Sequence, residues 1–171
     1  MRRSLPLLLL VSCLSFGLQA QDTYLEEALQ KWENATTYTL ETLALIPEDQ
    51  LDYKPVADVR SFRDQTMHLL QNMIWLSSTY LKGGEFEGDL EKEDYSKAEI
   101  LEMARAAFAF SHEALKKVEP HDLRSKVKFF AGPMNIRQII QLMNDHLTDH
   151  RGQIIIYLRM KGIKPPNYIG W

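Results

Sequence analysis

Apolar residues recur at helical spacing in four stretches of this chain, and no stretch alternates at strand spacing. The first predicted helix runs from about Thr23 to Ala44, with Leu25, Ala28, Leu29, Trp32 and Ala35 near one face. The polar, proline-bearing "IPEDQLDYKPVADVR" that follows reads as a connection. The second helix opens at "SFRD". Ser61 is a good N-cap, and Asp64 is placed to reach back to it. That helix stops at Gly83 and Gly84. A third runs from about Ser96 to Val118, again with a Ser-x-x-Glu start at Ser96 and Glu99, and ends before Pro120. "HDLRSKVKFFAGPM" reads as irregular or briefly extended. The fourth helix begins near Asn135, with Gln138 at the reciprocal capping position, and ends at Gly162. Pro165 and Pro166 keep the tail "KPPNYIGW" from continuing it.

Four long helices without alternating strands predict an all-α fold, an antiparallel four-helix bundle. The connections are longer than an idealised bundle needs. They allow a crossover topology, or a loop that covers one end. No internal repeat stands out.

Candidate chemistry sits on the fourth helix, in "NDHLTDHRGQIIIYLR". Ile139, Leu142, Met143, His146, His150, Gln153 and Tyr157 fall on about one stripe of its surface. His146 and His150 are one turn apart on that stripe, close enough to chelate one ion. The spacing matches H-E-x-x-H zinc helices, without a glutamate after the first histidine. Such a pair needs a third ligand from another segment, and His68, His112 and His121 are the candidates. His68 is the best of them, because its face of the second helix also carries Ser61, Asp64, Asn72, Trp75 and Thr79, the mixture expected of a site wall. Packed or solvated histidines are the competing reading, and by spacing alone it stands. Asp64 reads as a cap. Asp145 and Asp149 point off the stripe, and the acidic "EGDLEKED" reads as a solvated loop.

Composition narrows the context. The chain has 171 residues, 45% of them hydrophobic, which is enough for one globular core. A formal net charge of −3 and the lack of a basic block argue against nucleic-acid binding. Residues 1–20, "MRRSLPLLLLVSCLSFGLQA", have the layout of a secretory signal peptide: two arginines, an apolar run, and a small residue at Ala20. The run is too short and wrongly flanked for stable membrane insertion. The expected product is exported, periplasmic or secreted. The alternative is a lipoprotein anchored through Cys13 in "LVSC". Cleavage after Ala20 removes two arginines and the single cysteine and leaves a net charge of −5. The mature chain, residues 21–171, then has no thiol nucleophile and no thiolate ligand. Any metal would have to be held by histidines and carboxylates.

"LDYKPVADVRSFRDQTMHLL", "FFAGPMNIRQII" and "DHLTDHRGQIIIYLRMKGIKPPNY" together resemble the DinB/YfiT-like superfamily of metalloenzymes, across essentially the whole mature chain. The resemblance implies a four-helix bundle in which one histidine of the second helix and two of the fourth bind a divalent metal. Carried over by residue, these are His68, His146 and His150, with Arg151, Gly152 and Gln153 matching the motif that follows. Many members carry a further histidine where this chain has Asp149.

The chemistry expected follows from that trio. Three neutral imidazoles leave an ion's charge uncompensated and a coordination position open, so the centre could activate water, polarise an oxygen or stabilise a thiolate. By ligand type the trio suits Zn, Ni, Fe(II) or Cu; Zn and Ni lead, with Fe next. Asn72, Gln153, Tyr157 and Asp149 are candidates to orient water or substrate. None is a convincing general base, and no catalytic residue is assigned. The expected function is a divalent-metal-dependent hydrolase or transferase acting on a small molecule. The alternative is a non-catalytic metal- or ligand-binding, stress-related module, or a helical interaction protein in which the trio is vestigial. A homodimer is left open.

The start of the chain yields the first testable outcome. Mature protein from its native host should begin at Gln21 and carry no lipid. Intact-mass measurement is the check, and a diacylglyceryl group on Cys13 would reverse the expectation in favour of a membrane anchor.

Overall fold

A computed structural model describes the chain from Leu5 to Trp171, with side chains described from Thr23 onward. The signal peptide expected over residues 1–20, and its alternative at Cys13, lie outside the residues whose side chains are described. Four long helices dominate: α1 (Leu5–Ala44), α2 (Phe62–Tyr80), α3 (Lys97–Lys116) and α4 (Ile136–Met160). A two-stranded antiparallel hairpin, β1 (Lys126–Val127) and β2 (Met134–Asn135), leads into α4. No helix among the described residues is long and apolar enough to cross a membrane.

The local signals fix three of the helix starts. Ser61, Ser96 and Asn135 each accept the backbone N–H three residues on. Asp64, Glu99 and Gln138 return the bond to the cap's own N–H. Each box satisfies two N–H groups that would otherwise lack partners. Gly162, at φ +74°, closes α4 in the left-handed conformation, and the Ile163 N–H bonds back to the Leu158 carbonyl at 2.9 Å.

Helix directions follow from which ends meet. Lys97, the first residue of α3, donates its N–H to Glu48, and Arg63, in the first turn of α2, donates its N–H to the Leu51 carbonyl. Both helices therefore start from the same end of the bundle and run parallel. The Tyr24 hydroxyl donates to the Arg137 carbonyl, which places the start of α4 beside the middle of α1, at the other end of the bundle. Antiparallel packing falls across α2–α4 and α1–α3, and the long connections supply the crossover. The segment 81–95 makes the return, with the Gln71 amide donating to the Leu90 carbonyl midway.

The core runs the length of the bundle. Trp32, Phe62, Leu69, Leu70, Met73, Leu76, Phe108, Ile139, Ile140, Met143 and Ile154 are buried in it. The Trp32 indole is fully buried and donates its N–H to the Phe108 carbonyl at 3.4 Å. The hairpin turn presents Phe129 and Phe130, which pack on each other and on Trp75 at centroid distances of 4.4, 5.8 and 6.3 Å. The tail folds back along α1, where Tyr168 meets the Tyr38 ring edge-on and Trp171 lies under the Lys31 ammonium.

Gly152, in the middle of α4, has no conformational requirement of its own: a Cβ built there meets nothing within 4 Å. Mid-helix glycine costs about 0.8–1 kcal/mol relative to alanine. Gly152→Ala should therefore stabilise the fold by about that amount and raise the melting temperature by roughly 2–4 °C. Thermal unfolding followed by circular dichroism checks this. A lower melting temperature would mean that the glycine answers a packing need.

A candidate three-histidine metal centre

α2 and α4 pack antiparallel and bring three imidazoles to one place. His68 comes from the middle of α2, and His146 and His150 from successive turns of α4. Ring nitrogens from the three lie within 4.8 Å of one another. Ring centroids are 5.0 Å apart for His68–His146, 4.7 Å for His68–His150 and 4.2 Å for His146–His150. The Nε2 atoms of His68 and His146 are 3.3 Å apart. Two nitrogens each about 2.0–2.1 Å from one tetrahedral ion stand about 3.3–3.4 Å apart, so the donor set suits such an ion.

The other two histidines are elsewhere. His112 lies against Glu33 and Glu113, at 3.3 and 3.6 Å. His121 is exposed beside Asp122. Neither joins a metal-type cluster among the described residues.

The trio's environment favours the neutral form. Burial lowers the pKa of all three histidines, and the Arg60 guanidinium lowers each further. His146 falls furthest, to about 4, with the neighbouring His150 and His68 adding to the effect of burial. Asp149 opposes this at both α4 histidines, but it is exposed and its effect is the smaller one. Neutral imidazoles keep the lone pairs that a metal requires.

The four residues expected to orient water or substrate divide. Asn72, one turn after His68, has a buried Oδ1 with no hydrogen-bond partner among the described residues. Gln153 accepts a hydrogen bond from the Gln65 amide at 2.6 Å. Asp149 acts on the two α4 histidines only through its charge. Tyr157 turns the other way. It is buried, and its hydroxyl donates to the Arg60 carbonyl at 3.0 Å, so it holds the loop entering α2.

Two residues escaped the sequence reading. Gln65 is buried between His150 Nδ1 and Gln153 and contacts both. Its signal was the i, i+3 spacing to His68, which puts it on the same face of α2. An amide presents an oxygen or a nitrogen to the same spot. One Gln65 amide nitrogen faces both His150 Nδ1 and Gln153 Oε1; with both amides turned, the Gln65 oxygen accepts from the Nδ1–H of His150 and from the Gln153 amide, and the His150 Nε2 lone pair is left free. Arg60 is the second. Nothing in the sequence distinguishes it from other loop cations, because only the docking of α2 on α4 brings it to the trio.

The lowered pKa values predict how metal-free protein responds to acid. The unfolded chain takes up protons on these histidines near 6.5, while the folded chain resists them down to about 4 at His146. Between those values the unfolded state binds more protons, so stability falls as the pH drops. With partial exposure discounted, His146 contributes on the order of 1 kcal/mol. Denaturant unfolding at pH 7 and pH 4.5 should show a smaller loss for His146→Gln than for wild type. Equal losses would mean that His146 titrates normally.

Comparison with known proteins matches this geometry to a family. Two solved bacterial structures share the fold. A DinB-like protein from Bacillus cereus ATCC 10987 aligns with TM-score 0.73 and 23% identity, over 84% of this chain and 96% of that one. The DinB-like YjoA of Bacillus subtilis aligns with TM-score 0.72 and 18% identity, over 85% and 99%. No curated protein matches the chain significantly. The DinB family model matches residues 19–170, and the chain belongs to the DinB family.

Proposed function

We propose that His68, His146 and His150 hold one divalent metal ion, and that the centre acts on a small molecule by hydrolysis or group transfer. The observation that carries this reading is the convergence of three ring nitrogens within 4.8 Å, two of them at a tetrahedral separation of 3.3 Å. Zn and Ni are the leading candidates and Fe the next, on ligand type. When bound, such an ion supplies Lewis acidity and lowers the pKa of a coordinated group. The chain's own residues orient. Gln65 fixes the His150 ring, and Gln153 extends that hydrogen-bond chain.

One observation favours the second reading, a metal- or ligand-binding module without turnover. Gln65, Gln153 and Asn72 cannot take a proton at neutral pH, and Asp149 is exposed. Turnover would need a base carried by the substrate or by solvent. Export stays part of the proposal on the strength of residues 1–20 alone.

Metal analysis of purified protein is the test. Wild type should bind one ion per chain. His68→Ala, His146→Ala and His150→Ala should each lose it, and His112→Ala and His121→Ala should retain it. Gln65→Leu should weaken binding about 10–100-fold by freeing the His150 ring. Metal uptake that survives His146→Ala would overturn the site. The apo-protein should still fold, since the apolar faces of the four helices supply most of the stability. At a hundredfold excess over the dissociation constant, metal should add about 2.7 kcal/mol. Ordinary histidines would lose this increment between about pH 7 and 5. The lowered pKa of the trio moves the loss to more acid pH. A screen of the loaded protein against small esters, amides and thiol acceptors separates enzyme from binding module.

A further inference from the structure

We propose that the cavity beside the three histidines binds the oxyanion of a small molecule, a carboxylate or a phosphoryl group, with the Arg60 guanidinium as its anchor. The inference rests on the metal reading above and names the class of ligand that the same site would take. The cavity has a volume of about 550 Å³, within the range of small-molecule sites. Lys54, Asp58, Arg60, Asp64, Gln65 and Gln153 line it. Gln65 and Gln153 form the wall shared with the trio, since Gln65 contacts His150 on one side and Gln153 on the other.

Arg60 is placed and unengaged. Its backbone carbonyl accepts the Tyr157 hydroxyl at 3.0 Å, which ties this point of the loop to α4. Its side chain is exposed and forms no ion pair among the described residues. Two carboxylates, Asp58 and Asp64, line the same cavity as the two cations, and neither forms an ion pair with Arg60. Asp64 serves the cap of α2 through the Ser61 N–H, Asp52 pairs with Arg63 at 3.2 Å, and Asp58 makes no ion pair although it lines the same cavity. Lys54 adds a second cation on the rim.

The charges then decide the ligand. Three neutral imidazoles contribute no negative charge, so an ion held by them and the Arg60 guanidinium repel each other. A bound oxyanion reverses that sign. It can face the metal with one oxygen and take charge-assisted hydrogen bonds from the guanidinium with another. A neutral ligand would leave the repulsion in place.

Titration calorimetry with acetate and with inorganic phosphate, on Ni-loaded and on metal-free protein, tests this. Nickel content is measured before and after each titration. Arg60→Ala should fold, because the structural bond at this position comes from the backbone. It should weaken anion binding about tenfold, while Arg60→Lys retains part of the affinity. In the same Arg60→Ala variant, nickel affinity should hold or rise, because a like charge has gone. A residue with only a structural role would not move the two affinities in opposite directions. The acetate and phosphate arms tell a carboxylate site from a phosphoryl site. Equal anion affinity in wild type and Arg60→Ala overturns the proposal. If wild type takes up no nickel, the metal reading fails, and the metal-free arm judges the anchor. Anion binding that depends on Arg60 there upholds it, and binding that does not depend on Arg60 overturns it.

Discussion

The three-histidine cluster depends on the register of α2 against α4. His68 meets both α4 histidines only because it sits level with the turn between them. A slip of one turn, about 5.4 Å, would leave it facing one imidazole and a gap. Contacts spread along the interface hold the register. Tyr157 bonds the loop before α2 at one end, Gln65 and Gln153 meet near the histidines, and the Ser77 hydroxyl lies 3.6 Å from the Met143 sulfur further along. Between them Leu69, Leu70, Met73, Ile139 and Met143 are buried. Close-packed cores do not slide by small steps, so the alignment is all-or-none.

Rotation of α4 about its own axis is a separate requirement, and "HRGQ" meets it residue by residue. Successive residues on a helix point about 100° apart. His150 faces α2, Arg151 faces α1, and Gly152 faces open space. Arg151 is buried and forms no ion pair with a carboxylate among the described residues. Its guanidinium donates to the Thr39 hydroxyl at 3.2 Å and the Ala35 carbonyl at 3.4 Å, and lies 4.8 Å from the centre of the Tyr38 ring. Tyr168 from the tail packs edge-on against that ring. A buried cation without a carboxylate is expensive even when its donors are satisfied. Here it fixes the face that α4 turns to α1, and with it the direction in which His146 and His150 point.

What the sequence revealed follows the range of each interaction. All three capping boxes were readable because each lies within four consecutive residues: Ser61 to Asp64, Ser96 to Glu99, Asn135 to Gln138. The His146–His150 pair was readable for the same reason. His68 required choosing among three histidines, and its mixed polar face pointed to it. Gln65 shared the face of His68, but its partners on α4 were hidden, and Arg60 was not readable at all, because both roles depend on which helix docks where. For Tyr157 periodicity gave the stripe but not the partner, since its hydroxyl reaches the Arg60 carbonyl in the loop before α2. The parallel pairing of α2 with α3 was equally hidden. Long connections permit it, but only the contact of Lys97 with Glu48 shows it.

The electrostatics of the centre close the argument. Burial and the Arg60 charge disfavour a proton on all three rings, and the neighbouring histidines add to this at His68 and His146. The same three factors disfavour any cation there, and a metal ion differs from a proton only in bonding several lone pairs at once. Coordination by three nitrogens can outweigh a repulsion that one N–H bond cannot. The site therefore discriminates against protons without carboxylates that would neutralise the metal. Many three-ligand centres replace one imidazole with a glutamate and so remove part of the ion's charge. An ion held by this trio as proposed would keep its full charge near the Arg60 guanidinium, and charge balance would fall to whatever enters the cavity.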